Sequence, residues 1–264
     1  MNSFSKNVLI VSLGPLISSI VSFLAEPWVA RYWPPEVFGM VSYFNAFVLI
    51  LTPVIFFRYN YAMIQSNSKE EQSNLLALCG LLLVTGILLI FSAFPLFKVY
   101  LSADFEFEKY KYLFFASIFF GALSVLFRSW ASSNKFFFHI SLSIIILQSS
   151  FTLLLLAFGF LGKNDPETII HIRTLSYMIS PTFMLAAFFK TEFKNTLKNI
   201  SLQKISQVAR RYSRFPRIEF WGFLAGIIAF NIPIVIIANY WGQEINGLFS
   251  KAFFILYMFT VVGT

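Results

Sequence analysis

Five charged residues stand inside or at the edges of segments that are otherwise apolar: Glu26, Arg31, Arg58, Arg128 and Lys251. A charge held in hydrocarbon is costly, so such residues face a bundle interior or a wet cavity and are functional candidates by default. A guanidinium or ammonium placed there can hold an anion, and a carboxylate can pair with a cation or exchange a proton. Arg128 is seven positions before Lys135, about 10 Å along a helix, too deep for its side chain to reach the membrane surface without strain. Lys251 is equally far from Glu244. Arg31 and Arg58 lie nearer the ends of their segments, where anchoring competes with ligand contact. Glu26 precedes Pro27, at a point where a kink frees backbone carbonyls and burial favours the protonated carboxyl, the features of a coupling residue. The alternative for Glu26 is an ion pair, with Arg31 or with a partner on another helix.

These charges are rare exceptions. Of the 264 residues, 58% are hydrophobic and 12% charged, with a mean hydropathy of +0.73, which excludes an ordinary water-soluble domain. Lipid offers the backbone no hydrogen-bond partners, and apolar runs of about 20 residues favour helices over a barrel. Eight windows have this character: 8–25, 37–57, 75–97, 112–127, 136–162, 174–189, 220–243 and 245 onward. The fourth reaches full length only if it runs through Arg128 to Asn134, and the sixth only if it starts near Ile169. The expected fold is therefore an all-α polytopic membrane protein of about eight transmembrane helices. Lys and Arg concentrate between Lys190 and Arg217, which places the N-terminus on the cytoplasmic side. The net charge of +8 then reflects topology and anionic lipid, and nucleic acid is not needed to explain it.

One element is written twice. "RYWPPEVFGMVS" from Arg31 returns 208 positions later as "NYWGQEINGLFS" from Asn239, sharing Tyr32/Tyr240, Trp33/Trp241, Glu36/Glu244, Gly39/Gly247 and Ser42/Ser250. Six crossings separate the copies, so they face the same way and form a parallel repeat about an axis along the membrane normal. Tyr32, Trp33, Tyr240 and Trp241 fit an aromatic belt, Pro34 and Pro35 a turn and first helical residue, and Glu36 and Glu244 a helix N-terminus. Gly39 and Gly247 permit close helix approach. The differences are lobe-specific: Glu26 aligns with Ile234, Arg31 with Asn239 and Tyr43 with Lys251. The expected organisation is a six-helix lobe over 1–189, a basic interfacial linker over 190–217 lying on the membrane surface, and the first two helices of a second lobe over 218–264.

The stretches "SKNVLIVSLGPLISSIVSFLAEPWVARYWPPEVFG" and "FFRYNYAMIQSNSKEEQSNLLAL" resemble Wzx-type oligosaccharide flippases of the multidrug/oligosaccharidyl-lipid/polysaccharide exporter superfamily. That resemblance implies two six-helix lobes around a cavity open alternately to either side. It implies a cargo of oligosaccharide units on a polyprenyl diphosphate, moved from the inner to the outer leaflet of the bacterial cytoplasmic membrane for polysaccharide or O-antigen synthesis. Membrane lipids and polysaccharide polymerase machinery would be the partners. Against the family's twelve or more spans, a chain ending at Thr264 is expected to represent the first lobe and the start of the second. Cations along a hydrated path would offset the desolvation of a diphosphate, which gives Arg128, Lys251, Arg31 and Arg58 the role of substrate-binding cavity cations and Glu26 that of coupling.

Other chemistry lacks residues. Cys79 is the only cysteine, His139 and His171 lack ligand spacing, and no phosphate-cradling glycine loop or nucleophile with base is recognisable. No cofactor, metal or enzymatic activity is expected. The alternatives are a small-molecule exporter of the same superfamily and a membrane-embedded polysaccharide polymerase or ligase.

Overall fold

The computed structural model describes residues 3–98, 107–191 and 198–263, and among them every regular element is helical. In chain order these are α1 (Ser3–Tyr32), α2 (Pro35–Val54), the single turn α3 (Tyr59–Ala62), α4 (Lys69–Lys98), α5 (Phe107–Ser133), α6 (Phe137–Phe160) and α7 (Pro166–Thr191). A short helix α8 (Leu202–Arg211) and a π-helical turn (Phe215–Glu219) lead into α9 (Phe220–Gly263).

Seven of these helices are long and apolar enough to cross a membrane. The last, Phe215–Leu256, has 42 residues, or about 63 Å at helical rise, twice the thickness of a hydrocarbon core. It is two helices. Gly242 breaks it with φ 82° and ψ 174°, a conformation open to glycine and strained for a residue with a Cβ. Gly242 aligns with Pro34, the extended residue (φ −61°, ψ 149°) between α1 and α2. Both repeat copies thus end one span and begin the next at the same position, by different backbone chemistry. The protein is an all-α polytopic membrane protein with about eight spans among the described residues.

The other windows extend as their lengths require. α5 carries Arg128 inside it, and α7 begins at Pro166, enclosing Arg173. One end of the bundle holds the two aligned turns, here the turn face. The opposite end holds α3 and the basic segment before α9, here the linker face.

The copies touch. A Cβ on Gly39 would lie 1.8 Å from the carbonyl oxygen of Gln243, and one on Gly247 would lie 1.8 Å from that of Pro35. Gln243 and Pro35 are themselves aligned positions, so the contact is reciprocal, as a two-fold relation demands. Asn246 Nδ2 donates to Gly39 O at 2.9 Å across the seam. Tyr43 donates to Asn239 Oδ1 at 3.2 Å, joining α2 to the first half of α9.

One expectation is corrected. Trp33 is not a belt residue: it is buried, and its indole N–H donates to Leu155 O on α6 at 2.9 Å. Its counterpart Trp241 is 59% exposed, because no described helix stands beside it as α6 stands beside Trp33. In the linker the apolar side chains divide, and Ile200 is exposed. Ile205 and Val208 on α8 are buried, and α8 packs on α4. Lys204 pairs with Glu70, Arg211 with Glu71, and Tyr212 donates to Glu71 Oε2 at 3.0 Å. Phe193 and Leu197, the apolar residues of the linker before Ile200, lie outside the described residues.

Candidate functional site

A cavity of about 440 Å³ opens where α1, α2, α6 and α7 meet both halves of α9. It contains Glu26, Lys251 and Arg173, so the cations exceed the carboxylates by one. Serine and threonine hydroxyls, the amides of Asn45, Gln148 and Asn231, and the rings of Phe38, Phe151 and Phe253 complete its wall.

Each charged residue reaches the cavity for a local reason. Glu26 sits on α1 one residue before Pro27, whose missing N–H leaves the carbonyl four residues earlier without its helical donor. Lys251 lies on the second half of α9, at the position aligned with Tyr43. Tyr43 on α2 reaches across to the first half of α9, and Lys251 reaches across to α1: its Nζ stands 3.5 Å from Glu26 Oε1. The two aligned residues thus each reach the first helix of the other copy, by a neutral hydrogen bond in one case and an ion pair in the other, although Glu26 stands five residues before Arg31, the position aligned with Asn239. The ammonium also lies 4.1 Å above the Phe38 ring. Of the partners open to Glu26, the structure selects the one on another helix. Arg31 is exposed and makes no ion pair with a described residue.

Arg173 was not among the candidates, and it is the most elaborately held cation. Its Nε donates to Asn45 Oδ1 at 3.1 Å and its Nη2 to the Tyr177 hydroxyl at 3.3 Å. Tyr177 in turn donates to Asn45 Oδ1. The guanidinium carbon lies 4.7 Å from the centres of both the Phe151 and Tyr177 rings. Two of the five N–H donors of an arginine are engaged by these contacts. The rest are available to a planar or tetrahedral anion. The signal for Arg173 was present: the sixth window is long enough to span only with Arg173 inside it.

Across the cavity, Gln148 donates to Ser22 Oγ at 3.3 Å, and Ser22 shares a hydrogen bond of 3.1 Å with Thr152. Ser42 and Ser250, an aligned pair, both line the wall, and Ser250 Oγ has no partner.

Arg128 and Arg58 are elsewhere. Arg128 Nε donates to Ser124 O at 3.2 Å, one turn back on α5. Arg58 has a left-handed backbone (φ 67°) at the linker face, its guanidinium carbon 3.6 Å from the Tyr61 ring centre and 4.3 Å from that of Phe223. This ties the end of α2 to the start of α9, an anchoring contact. The structure thus joins Glu26 and Lys251 in one cavity, adds Arg173, and leaves Arg31, Arg58 and Arg128 outside its wall. Among the described residues no His, Cys, Asp or Glu cluster could hold a metal. Cys79 is buried in the core.

No protein-family model, curated protein or solved structure matches the chain.

Proposed function

We propose that the protein is a flippase that moves polyprenyl-diphosphate-linked oligosaccharide units from the inner to the outer leaflet of the bacterial cytoplasmic membrane by alternating access. The basic linker face is then cytoplasmic and the turn face external. The observation that carries this reading is the cavity between helices of the two repeat copies, where Lys251 and Arg173 outnumber the one carboxylate. A diphosphate entering hydrocarbon loses its hydration, and charge-assisted hydrogen bonds from such cations replace it. Amides and hydroxyls suit sugar hydroxyl groups, and phenyl rings suit the apolar faces of pyranoses. Glu26 holds Lys251 while the site is empty. An anion that takes Lys251 frees the carboxylate, which gives Glu26 its coupling role.

Deleting the gene in a host with no redundant flippase should strand lipid-linked units on the cytoplasmic leaflet, measured by access of an impermeant sugar-modifying reagent. Normal outer-leaflet delivery in that strain overturns the reading. The small-molecule exporter draws on a specific observation too, since Glu26 beside Phe38, Phe151 and Phe253 resembles a site for an organic cation. Sensitivity of the deletion strain to cationic drugs, with glycan delivery intact, would favour it.

A further inference from the structure

One cation in the cavity has no anion of its own. Lys251 faces Glu26, whereas no carboxylate among the described residues pairs with Arg173. The wall around Arg173 comes from three helices of the first lobe: Asn45 on α2, Gln148 and Phe151 about a turn apart on α6, and Arg173 itself on α7. Tyr177 stands behind that wall.

The guanidinium is fixed along one edge and open along another. Nε and Nη2 share an edge, and Asn45 Oδ1 and the Tyr177 hydroxyl occupy it. Because Tyr177 also donates to Asn45 Oδ1, the three groups close a ring of hydrogen bonds that sets the plane of the guanidinium. Phe151 supports it from α6, with the ring centre 4.7 Å from the guanidinium carbon. The edge formed by Nη1 and the second N–H of Nη2 has no hydrogen-bond partner among the described residues. Two parallel N–H bonds from such an edge match the two oxygens of a carboxylate.

The same wall suits a sugar. Asn45 has its amide oxygen taken twice and keeps its N–H groups as donors. Gln148 donates to Ser22 and keeps its amide oxygen as an acceptor. Phe151 offers an apolar face to a pyranose ring. Charge sets the kind of sugar. With the Glu26–Lys251 pair intact, the cavity carries one uncompensated positive charge, which a single carboxylate neutralises. A phosphate monoester, doubly charged at neutral pH, would leave a negative excess away from water. A neutral glycan would cover Arg173 and leave its donors unpaired, a penalty that selects against it.

We propose that Arg173 is the recognition site for an acidic sugar of the uronic acid type, whose carboxylate takes the open edge while Asn45 and Gln148 bond ring hydroxyls. The assignment rests on the flippase reading for the statement that this sugar is cargo, and it leaves the diphosphate to Lys251. The carboxylate chemistry belongs to Arg173 and is testable by itself.

The test is a saturation-transfer NMR titration of the full chain in a polyoxyethylene detergent, which has no sugar headgroup to compete. The ligands are methyl glucuronide, its uncharged amide methyl glucuronamide, glucosyl phosphate and propionate. Methyl glucuronide should bind about tenfold tighter than the amide, the worth of a charge-assisted pair, and tighter than the other two. Equal binding of glucuronide and amide, or binding of neither, overturns the proposal in the wild-type protein alone. Glucosyl phosphate bound as tightly as the glucuronide overturns the carboxylate as the recognised group. Propionate bound as tightly overturns the sugar. Arg173→Gln should bind glucuronide and amide alike, and a preserved preference in that variant, with thermal unfolding like wild type, overturns the assignment to Arg173. A glucuronide preference in a protein whose deletion strain delivers glycolipid normally would leave the site standing and remove the flippase reading. Stranded glycolipid in that strain, with no glucuronide preference, would do the reverse.

Discussion

Gly39 and Gly247 meet backbone to backbone, each at the point where the other's helix leaves no room for a side chain. They occupy the same place in the two copies of the repeat, so a duplicated sequence element folds into the contact between its own duplicates. Gly39→Ala or Gly247→Ala places a methyl group 1.8 Å from a carbonyl oxygen and must push the helices apart. Overpacking of this kind costs about 1–3 kcal/mol. The expected result is a lower thermal unfolding midpoint in detergent for either variant. Gly80→Ala and Gly222→Ala, where nothing stands within 4 Å, should leave the midpoint level or slightly higher. Equal behaviour of all four would mean that the seam does not form.

Glu26 and Lys251 form an ion pair at 3.5 Å, with side chains 26% and 18% exposed, between the first helix and the last. Removing one partner leaves the other charge poorly solvated, so Lys251→Gln and Glu26→Gln should each destabilise more than Arg31→Gln, whose side chain is exposed and has no ion pair among the described residues. Partly exposed pairs are worth less than fully buried ones, and a coupling of about 1 kcal/mol is expected from a double-mutant cycle of thermal or denaturant unfolding. The exchange Glu26→Lys with Lys251→Glu should recover part of the loss. Additive single effects would show that the two groups do not interact.

Much of this was legible in the sequence, for identifiable reasons. Span number followed from apolar length, and the second turn from its alignment with Pro34, because hydrocarbon imposes length and continuity on every crossing. Glycine at 39 and 247 announced close approach, since that is what a missing Cβ permits. The ion pair was legible only as an alternative, because its partners are 225 positions apart and pairing across helices has no local signature. Trp33 misled: its composition suits a membrane interface, but α6 supplies a carbonyl and a packing face that no local pattern foretells. Arg173 lies just before the charge-free window 174–189 and so does not stand out as a charge within an apolar run, although the length of its span requires it inside.

Asp165 caps α7 at the turn face, accepting from Thr168 N at 2.9 Å and from Thr168 Oγ1 at 2.7 Å. These hydrogen bonds favour the carboxylate and hold its pKa below the ordinary aspartate value. Because the folded-state value is depressed, the stabilisation is present above the unfolded pKa of about 4 and is lost as pH falls through the folded value. Asp165→Ala should cost about 1 kcal/mol at neutral pH, as N-cap losses do. The difference from wild type should shrink when unfolding is repeated near pH 3. A gap that persists unchanged at that pH would mean that the carboxylate charge is not what caps the helix.

The linker helix α8 is latched to α4 by acidic residues at one end of that helix. Glu71 takes both Arg211 and Tyr212, Asn74 Nδ2 donates to Asn199 O at 2.9 Å, and Ser201 N donates to Asn74 Oδ1 at 3.1 Å. Tyr59 adds a bond to Ala209 O at 2.9 Å. Exposed ion pairs contribute little to global stability, but an element with only two buried apolar residues of its own depends on its polar contacts to stay docked. Glu71→Gln should therefore leave the global unfolding midpoint within about a degree of wild type while loosening α8 locally. Limited trypsin digestion of the solubilised protein reads this out, because Lys204, Arg210 and Arg211 lie on that helix. Cleavage there should be several-fold faster in Glu71→Gln, and Tyr59→Phe combined with it should accelerate cleavage further. An unchanged digestion rate in the double variant would mean that burial of Ile205 and Val208 alone holds the linker.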